Sequence, residues 1–129
     1  MPVADTSFIV DLIRRDQGAL ACYQGFENAG TALFTTGITA LELYKGAFVS
    51  KKGENVAKVH AILELFAVLP VEETVYEAFG KLSAGLNLQG QSIGDFDEVI
   101  AAIALCHDGA IITRDRHFGK IPGLEVIGY

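Results

Sequence analysis

Long apolar runs are missing from this chain of 129 residues. The longest, Val99–Cys106, falls far short of the roughly 20 residues that a transmembrane helix needs. The first residues, MPVADTSF, contain no basic segment and include an acid at position 5, so a signal peptide is not expected. We therefore expect a cytoplasmic protein that does not associate with a membrane.

Cysteine is scarce as well. Cys22 and Cys106 are the only two, and they do not form a Cys-x-x-Cys motif. This argues against a disulfide framework and against a cysteine-held metal, and we expect both to be reduced, buried thiols. Repeats, low-complexity tracts and linkers are also lacking, so residues 1–129 are predicted to form a single domain.

Basic residues are few. Ten Lys and Arg face 16 Asp and Glu, which gives a net charge of −6. Proteins that bind nucleic acid through its phosphates usually present a basic face. The balance argues against a high-affinity, nonspecific nucleic-acid binder, but it is compatible with a metal-dependent nuclease that uses a few local basic residues.

Short apolar runs alternate with segments of helical apolar spacing. The order, β-α-α-β-α-α-β-α-α-β-β, implies crossover connections and a parallel sheet. We therefore predict an α/β fold with three layers, α/β/α, in which helices flank a central, mostly parallel sheet. The predicted strands are Val3–Ala4, Ala32–Thr35, Ala67–Leu69, Ala110–Thr113 and Leu124–Ile127. A helix is predicted over Glu72–Ala84, followed by a loop over Leu86–Ser92.

Acidic residues lie where such a fold could bring them to one point. Asp5 and Asp115 each follow a predicted strand, and parallel strands end at the edge of the sheet where open α/β folds bind ligands. Glu42 and Asp97 belong to helical segments. Like charges repel by about 4 kcal/mol per pair at ~4 Å and an effective dielectric of ~20. A cluster of these four acids would therefore favour a divalent cation.

Three of these acids also have structural explanations. Asp5 could cap the helix that follows it, Asp115 could be a turn or cap residue, and Glu42 could pair with Lys45 on a helix surface. Taken from the residues alone, these alternatives stay open.

The helix Asp95–His107 offers two acids in its first turn. Asp95 and Glu98 have the spacing of a capping box, which assigns the N-cap to Asp95. Asp97 is then the better candidate for a metal ligand, with Asp95 as the alternative.

Hydroxyl and basic residues accompany the acids. Ser7 could add a hydroxyl to the site, Thr113 could orient a carboxylate, and Arg114 could hold a substrate phosphate. Each could equally be an ordinary helix, strand or loop residue.

The motifs around these acids resemble those of one known family. They are D-T-S at Asp5–Ser7, T-x-x-E-L-x-x-G at Thr39–Gly46, D-E-V-I-A-A-x-A-L at Asp97–Leu105, T-R-D-x-x-F at Thr113–Phe118, and I-P-G-L-E-V near the end. In this order and spacing they resemble the PIN-domain family, and most of all the VapC-type ribonuclease toxins of prokaryotic toxin–antitoxin pairs.

This resemblance implies a specific activity. It implies a metal-dependent endoribonuclease, using Mg²⁺ or Mn²⁺, in which metal-activated water cleaves RNA phosphodiester bonds. The implied catalytic and metal-ligating residues are Asp5, Glu42, Asp97 and Asp115. The implied partners are the RNA substrate, a cognate VapB-type antitoxin and a second copy of the chain in a homodimer.

Other functions were weighed against this one. A receiver domain needs an acceptor Asp after the third strand, where this chain has Leu69–Pro70, and a haloacid-dehalogenase-type phosphatase needs Asp-x-Asp where it has Asp5-Thr6-Ser7. Two alternatives remain: a PIN-like protein-binding module, and an RNA-processing nuclease without a cognate antitoxin.

Overall fold

Five short strands form one sheet at the centre of the computed structural model, which describes residues 1–129. The strands are β1 (Val3–Ala4), β2 (Phe34–Thr36), β3 (Ala67–Leu69), β4 (Ala110–Ile112) and β5 (Glu125–Ile127). The helices are α1 (Thr6–Ile13), α2 (Gln17–Asn28), α3 (Gly37–Val49), α4 (Gly53–Leu63), α5 (Glu73–Leu88) and α6 (Asp95–His107), and a 3₁₀ helix covers Arg116–Lys120. None of the helices has both the length and the apolar composition that crossing a membrane requires.

The sheet is parallel throughout, with the strand order β3-β2-β1-β4-β5. From β1 the chain builds β2 and β3 on one side, and then returns to add β4 and β5 on the other. The strand order therefore switches direction between β1 and β4, and the carboxyl ends of the strands at such a point are where open α/β sheets place their ligand crevice. Since Ala4 pairs with Ile112, the next residues of the two strands, Asp5 and Thr113, are neighbours.

Apolar cores on both faces of the sheet hold the helices in place. Ile112 of β4 packs in the core that contains Phe8 of α1. The preceding residue, Ile111, points to the opposite core, where it packs with Ile100 of α6 and Phe118. Phe8 and Phe118 are fully buried, and burial of such a side chain contributes about 1.5–3 kcal/mol. The three-layer α/β/α prediction is confirmed.

Two local predictions were wrong. Helix α5 runs on to Leu88 instead of ending near Ala84, because Leu86 continues its apolar face and is buried. The helix stops only where Gly90 adopts φ +66, a left-handed conformation that glycine tolerates best. Cys106 is exposed instead of buried, and Cys22 is partly buried.

Candidate active site

Asp5 lies at the carboxyl end of β1 and is almost fully buried. Its Oδ1 accepts hydrogen bonds from the backbone N–H of Phe8, at 3.0 Å, and from the Ser7 hydroxyl, at 2.7 Å. Its Oδ2 accepts one from the Thr113 hydroxyl, at 2.6 Å. Asp5 is thus the N-cap of α1 and also a carboxylate held in one orientation at the crevice.

The pKa of Asp5 is raised above its ordinary value. Burial is the largest cause, and the charge of Asp115 adds to it. The hydrogen bonds from Thr113, Phe8 and Ser7 act in the opposite direction and offset part of the increase. Burial and the charge of Asp115 therefore destabilise the charged form of Asp5, and a bound cation would stabilise it.

Thr113 connects Asp5 with Asp115. Its hydroxyl donates to Asp5 and accepts from the backbone N–H of Asp115 at 2.9 Å. Asp115 caps the 3₁₀ helix by accepting from the N–H of His117, and its Oδ1 lies 2.9 Å from the His117 ring Nδ1. The structure therefore brings Asp115 to the same edge of the sheet as Asp5, as predicted from the parallel strands.

Glu42 reaches this edge from α3. Its Oε1 accepts a hydrogen bond from the Thr6 hydroxyl at 2.6 Å, and that hydroxyl is also 3.2 Å from Thr39 Oγ1. Lys45 forms no ion pair with Glu42, so the surface pair considered above is absent. Glu42 instead points toward the residue that follows Asp5.

The predicted capping role of Asp95 was wrong. The N-cap of α6 is Gly94, whose φ of +106 turns the chain into the helix one residue earlier than the capping-box pattern predicts. Glu98 is buried and accepts from the backbone N–H of Ile93 at 2.9 Å. Asp95 is exposed, whereas Asp97 is half-buried on the same first turn.

The pKa of Asp97 is raised well above its ordinary value. Its pKa is raised to about 6, mainly by burial and then by the charges of Glu42, Asp115 and Asp5, while His117 opposes them. No protein hydrogen bond contributes to this shift. All four predicted acids therefore lie within one electrostatic field, and Asp97 is the one without a protein donor.

The donor set fits a hard cation. Carboxylate oxygens are the ligands that Mg²⁺ and Mn²⁺ prefer, and unneutralised carboxylates bind them best. With the side chains in these positions, no group of three His, Cys, Asp or Glu residues is arranged so that it could hold a metal ion. Asp97, which is free of protein partners, is the side chain with freedom to turn toward an ion.

Three residues near the acids, Thr6, Asp11 and Tyr129, were not among the site residues predicted from the sequence. Thr6 orients Glu42, and Tyr129 donates a hydrogen bond to the buried carboxylate of Asp11 at 2.6 Å. The sequence feature that could have indicated this contact is Asp11 itself, which is the only acid within the apolar segment that forms α1. Arg114, which was singled out, pairs with Asp11 at 3.2 Å.

Comparison with known proteins agrees with this architecture. The family model of the PIN domain matches residues 3–124. Ribonuclease VapC1 of Haemophilus influenzae strain R2866 is 30% identical to this chain, over 94% of this chain and 92% of that protein.

Solved structures show the same fold. VapBC2 from Rickettsia felis, bound to a DNA fragment from its promoter, superposes with a TM-score of 0.91 at 22% identity, covering 98% of this chain and 97% of the other. A toxin–antitoxin complex from Klebsiella pneumoniae superposes with a TM-score of 0.72 at 26% identity, covering 98% and 96%. The chain belongs to the PIN-domain family and resembles its VapC-type members.

Proposed function

We propose that this chain is a divalent-metal-dependent endoribonuclease and the toxin component of a toxin–antitoxin pair. The observation that carries the proposal is the convergence of four acids on the crevice between β1 and β4, with a pKa of about 6 for Asp97. A carboxyl group whose pKa is raised this far by burial and by neighbouring charges is a candidate member of a functional site. The similarity to Ribonuclease VapC1 supports RNA as the substrate.

The residues proposed to hold one or two Mg²⁺ or Mn²⁺ ions are Asp5, Glu42, Asp97 and Asp115. Such an ion, when bound, supplies a water activated for attack on phosphorus and positive charge for the developing oxyanions. Asp95 is exposed and does not contribute to the field at Asp97, so the proposal places it outside the ligand set.

The remaining polar groups keep these acids in place. Ser7 and Thr113 hold the two oxygens of Asp5, and Thr6 holds one oxygen of Glu42. Hydrogen bonds of this kind fix the orientation of a ligand side chain and are often as important as the ligand itself. Arg114 is proposed to hold the substrate phosphate.

A protein partner forms part of the proposal. The toxin–antitoxin complex from Klebsiella pneumoniae supports a cognate antitoxin, and we propose that it is of the VapB type. A groove of about 420 Å³ between α1, α3 and α4 opens beside Thr6 and Glu42, where a bound segment would cover the acids. The homodimer also stays a prediction, for which the exposed Leu41 and Phe48 of α3 offer apolar surface.

Cleavage of RNA by the purified chain tests the proposal directly. The reaction contains Mg²⁺ or Mn²⁺, with EDTA as the metal-free arm. Asp97→Asn is the main variant, because Asp5→Asn also disturbs the helix cap and the hydrogen bond from Thr113. Asp108→Asn is the matched control, since this exposed acid lies at the opposite end of β4 and pairs with the N-terminal amine.

We expect cleavage that needs the metal, is abolished by Asp97→Asn and Asp5→Asn, and is unchanged by Asp108→Asn. Cleavage that persists in EDTA and in both site variants would contradict the mechanism. A folded wild-type chain that binds its antitoxin but never cleaves RNA would favour the protein-binding module instead.

A further inference from the structure

Asp11 is a buried carboxylate that the proposed metal site does not use. It lies on α1 and is 3% exposed. A buried carboxylate is costly unless it is paired and hydrogen-bonded. Its Oδ2 has two partners, the Tyr129 hydroxyl at 2.6 Å and Arg114 Nη1 at 3.2 Å. Both contacts join residues more than a hundred positions apart, so they fix the chain end and the loop after β4 onto α1.

This cluster adjoins the four acids through α1. Ser7 and Asp11 are four residues apart and therefore lie on the same face of the helix. The Ser7 hydroxyl donates to Asp5 and accepts from the backbone N–H of Arg114 at 3.4 Å. Arg114 is thus attached to α1 twice, by its backbone through Ser7 and by its guanidinium through Asp11.

Arg114 still has donors to offer a ligand. Its side chain is 57% exposed and its recorded ion pair uses one nitrogen, Nη1. A guanidinium carries five N–H donors in a planar fork that matches a phosphate. The chain has a net charge of −6, so basic groups that could bind a phosphate are few. The Arg114 guanidinium belongs to the residue between Thr113 and Asp115, which are both part of the site.

Tyr129 is rigidly placed. Its ring packs edge-on against the fully buried Phe8, with 5.0 Å between ring centroids. The phenol therefore fixes the Asp11 carboxylate, and that carboxylate fixes the guanidinium.

We propose that Asp11 and Tyr129 are positioning residues that hold the Arg114 guanidinium ready for an RNA phosphate bound at the four acids. The inference rests on the proposed function and describes how the proposed site binds the phosphate of its substrate. A guanidinium held before binding loses less freedom when the phosphate arrives than a free one does. Removing the Tyr129 hydroxyl should therefore weaken substrate binding by way of Arg114.

A double-mutant cycle between Tyr129 and Arg114 tests the inference. Tyr129→Phe keeps the ring and the net charge and removes only the hydroxyl, and Tyr76→Phe, at an exposed tyrosine on α5, is the matched control. Steady-state cleavage of a single-stranded RNA oligonucleotide with Mg²⁺ gives kcat and KM for each variant. Thermal unfolding of each variant is followed in parallel.

We expect Arg114→Ala to lower kcat/KM about 10- to 100-fold, the range for a hydrogen bond to a charged group. Tyr129→Phe should lower it about 3- to 10-fold, mainly through KM, and should have no further effect in the Arg114→Ala background. Arg114→Ala should also reduce the slope of log affinity against log salt by about 0.7, the value for one lost phosphate contact on a single strand. Tyr76→Phe should leave all of these unchanged.

A purely structural role for Tyr129 gives a different pattern. In that case Tyr129→Phe lowers kcat/KM by the same factor with and without Arg114, and this result, or no effect at all, would overturn the inference. If Tyr129→Phe does not fold, Asp11→Asn replaces it in the same cycle. A wild-type chain without RNA cleavage would overturn the proposed function and the inference together, whereas an active chain with additive variants overturns the inference alone.

Discussion

Replacing Asp97 by asparagine should stabilise the metal-free chain at neutral pH while it removes nuclease activity. In the folded protein the pKa of Asp97 rises from 3.8 to about 6. A shift of about two units corresponds to about 3 kcal/mol at ~1.4 kcal/mol per unit. Since the side chain is half-buried, solvent screening reduces this value, and we expect a gain of about 1–2 kcal/mol in the free energy of unfolding at pH 7.5.

The direction of the pH dependence follows from the raised pKa. The folded state binds the Asp97 proton more tightly than the unfolded state does. The wild-type chain therefore loses stability as the pH rises from about 4 through about 6. Asp97→Asn has no proton to lose there, so its advantage over wild type should appear only across this window and then level off.

The effect is measured by urea unfolding in the presence of EDTA at pH 4.5, 6 and 7.5, with circular dichroism as the signal. Asp108→Asn is again the control, because it removes a negative charge at the opposite end of β4. A difference between Asp97→Asn and wild type that is independent of pH would refute the electrostatic explanation. Addition of Mg²⁺ should then stabilise wild type more than the variant, because binding to the folded state alone raises its stability.

Other substitutions test the supports of the site and of the fold. Thr113→Val should cost about 2–3 kcal/mol in urea unfolding, because it leaves Oδ2 of Asp5 without its donor and the Asp115 N–H without its acceptor; a loss below ~0.5 kcal/mol would contradict the connecting role of this hydroxyl. Phe118→Ala should cost about 3–5 kcal/mol by the same measurement, since it empties a fully buried position. Asp16→Ala should cost only about 1 kcal/mol, the value of the α2 cap to Ala19, and should leave RNA cleavage unchanged.

The sheet could be predicted closely because its signals are local. β1, β3 and α6 begin and end where the sequence predicted. Pro70 closes the apolar run of β3, and Gly94 and Gly109, both with positive φ, enclose α6. Glycines with such conformations mark element ends strongly, whatever the tertiary contacts.

The capping residue of α6 could not be predicted in this way. A capping box is a spacing rule, and Asp95 satisfies it as well as a true N-cap does. The rule does not register that Gly94 turns the chain a residue earlier, so that Glu98 bonds to Ile93 instead. Asp97 stays the predicted ligand of the two acids because it is half-buried and lies near the other three acids, whereas the capping argument for it was wrong.

The hydrogen bonds of the site depend on the register of β1 and β4. That Asp5 and Asp115 share an edge follows from parallel strands alone. That Thr113 donates to Asp5 requires the pairing of Ala4 with Ile112, which places their successors side by side. No feature of the sequence gives this register, and the same holds for the contact between Asp11 and Tyr129 across 118 positions.

The hydrogen bonds are distributed unevenly among the acids, and this bears on where an ion is needed. Asp5 accepts three donors, which offset part of the cost of burying its charge, and Glu42 accepts one from Thr6. Asp97 receives none, and its burial, followed by the repulsion of the other three acids, raises its pKa to about 6. If the chain had only to fold, an uncharged residue at this position would be more favourable. The proposed role of Asp97, as a ligand for a cation from outside the chain, would account for a carboxylate at this position, and the pH-dependent gain predicted for Asp97→Asn measures what that carboxylate costs in stability.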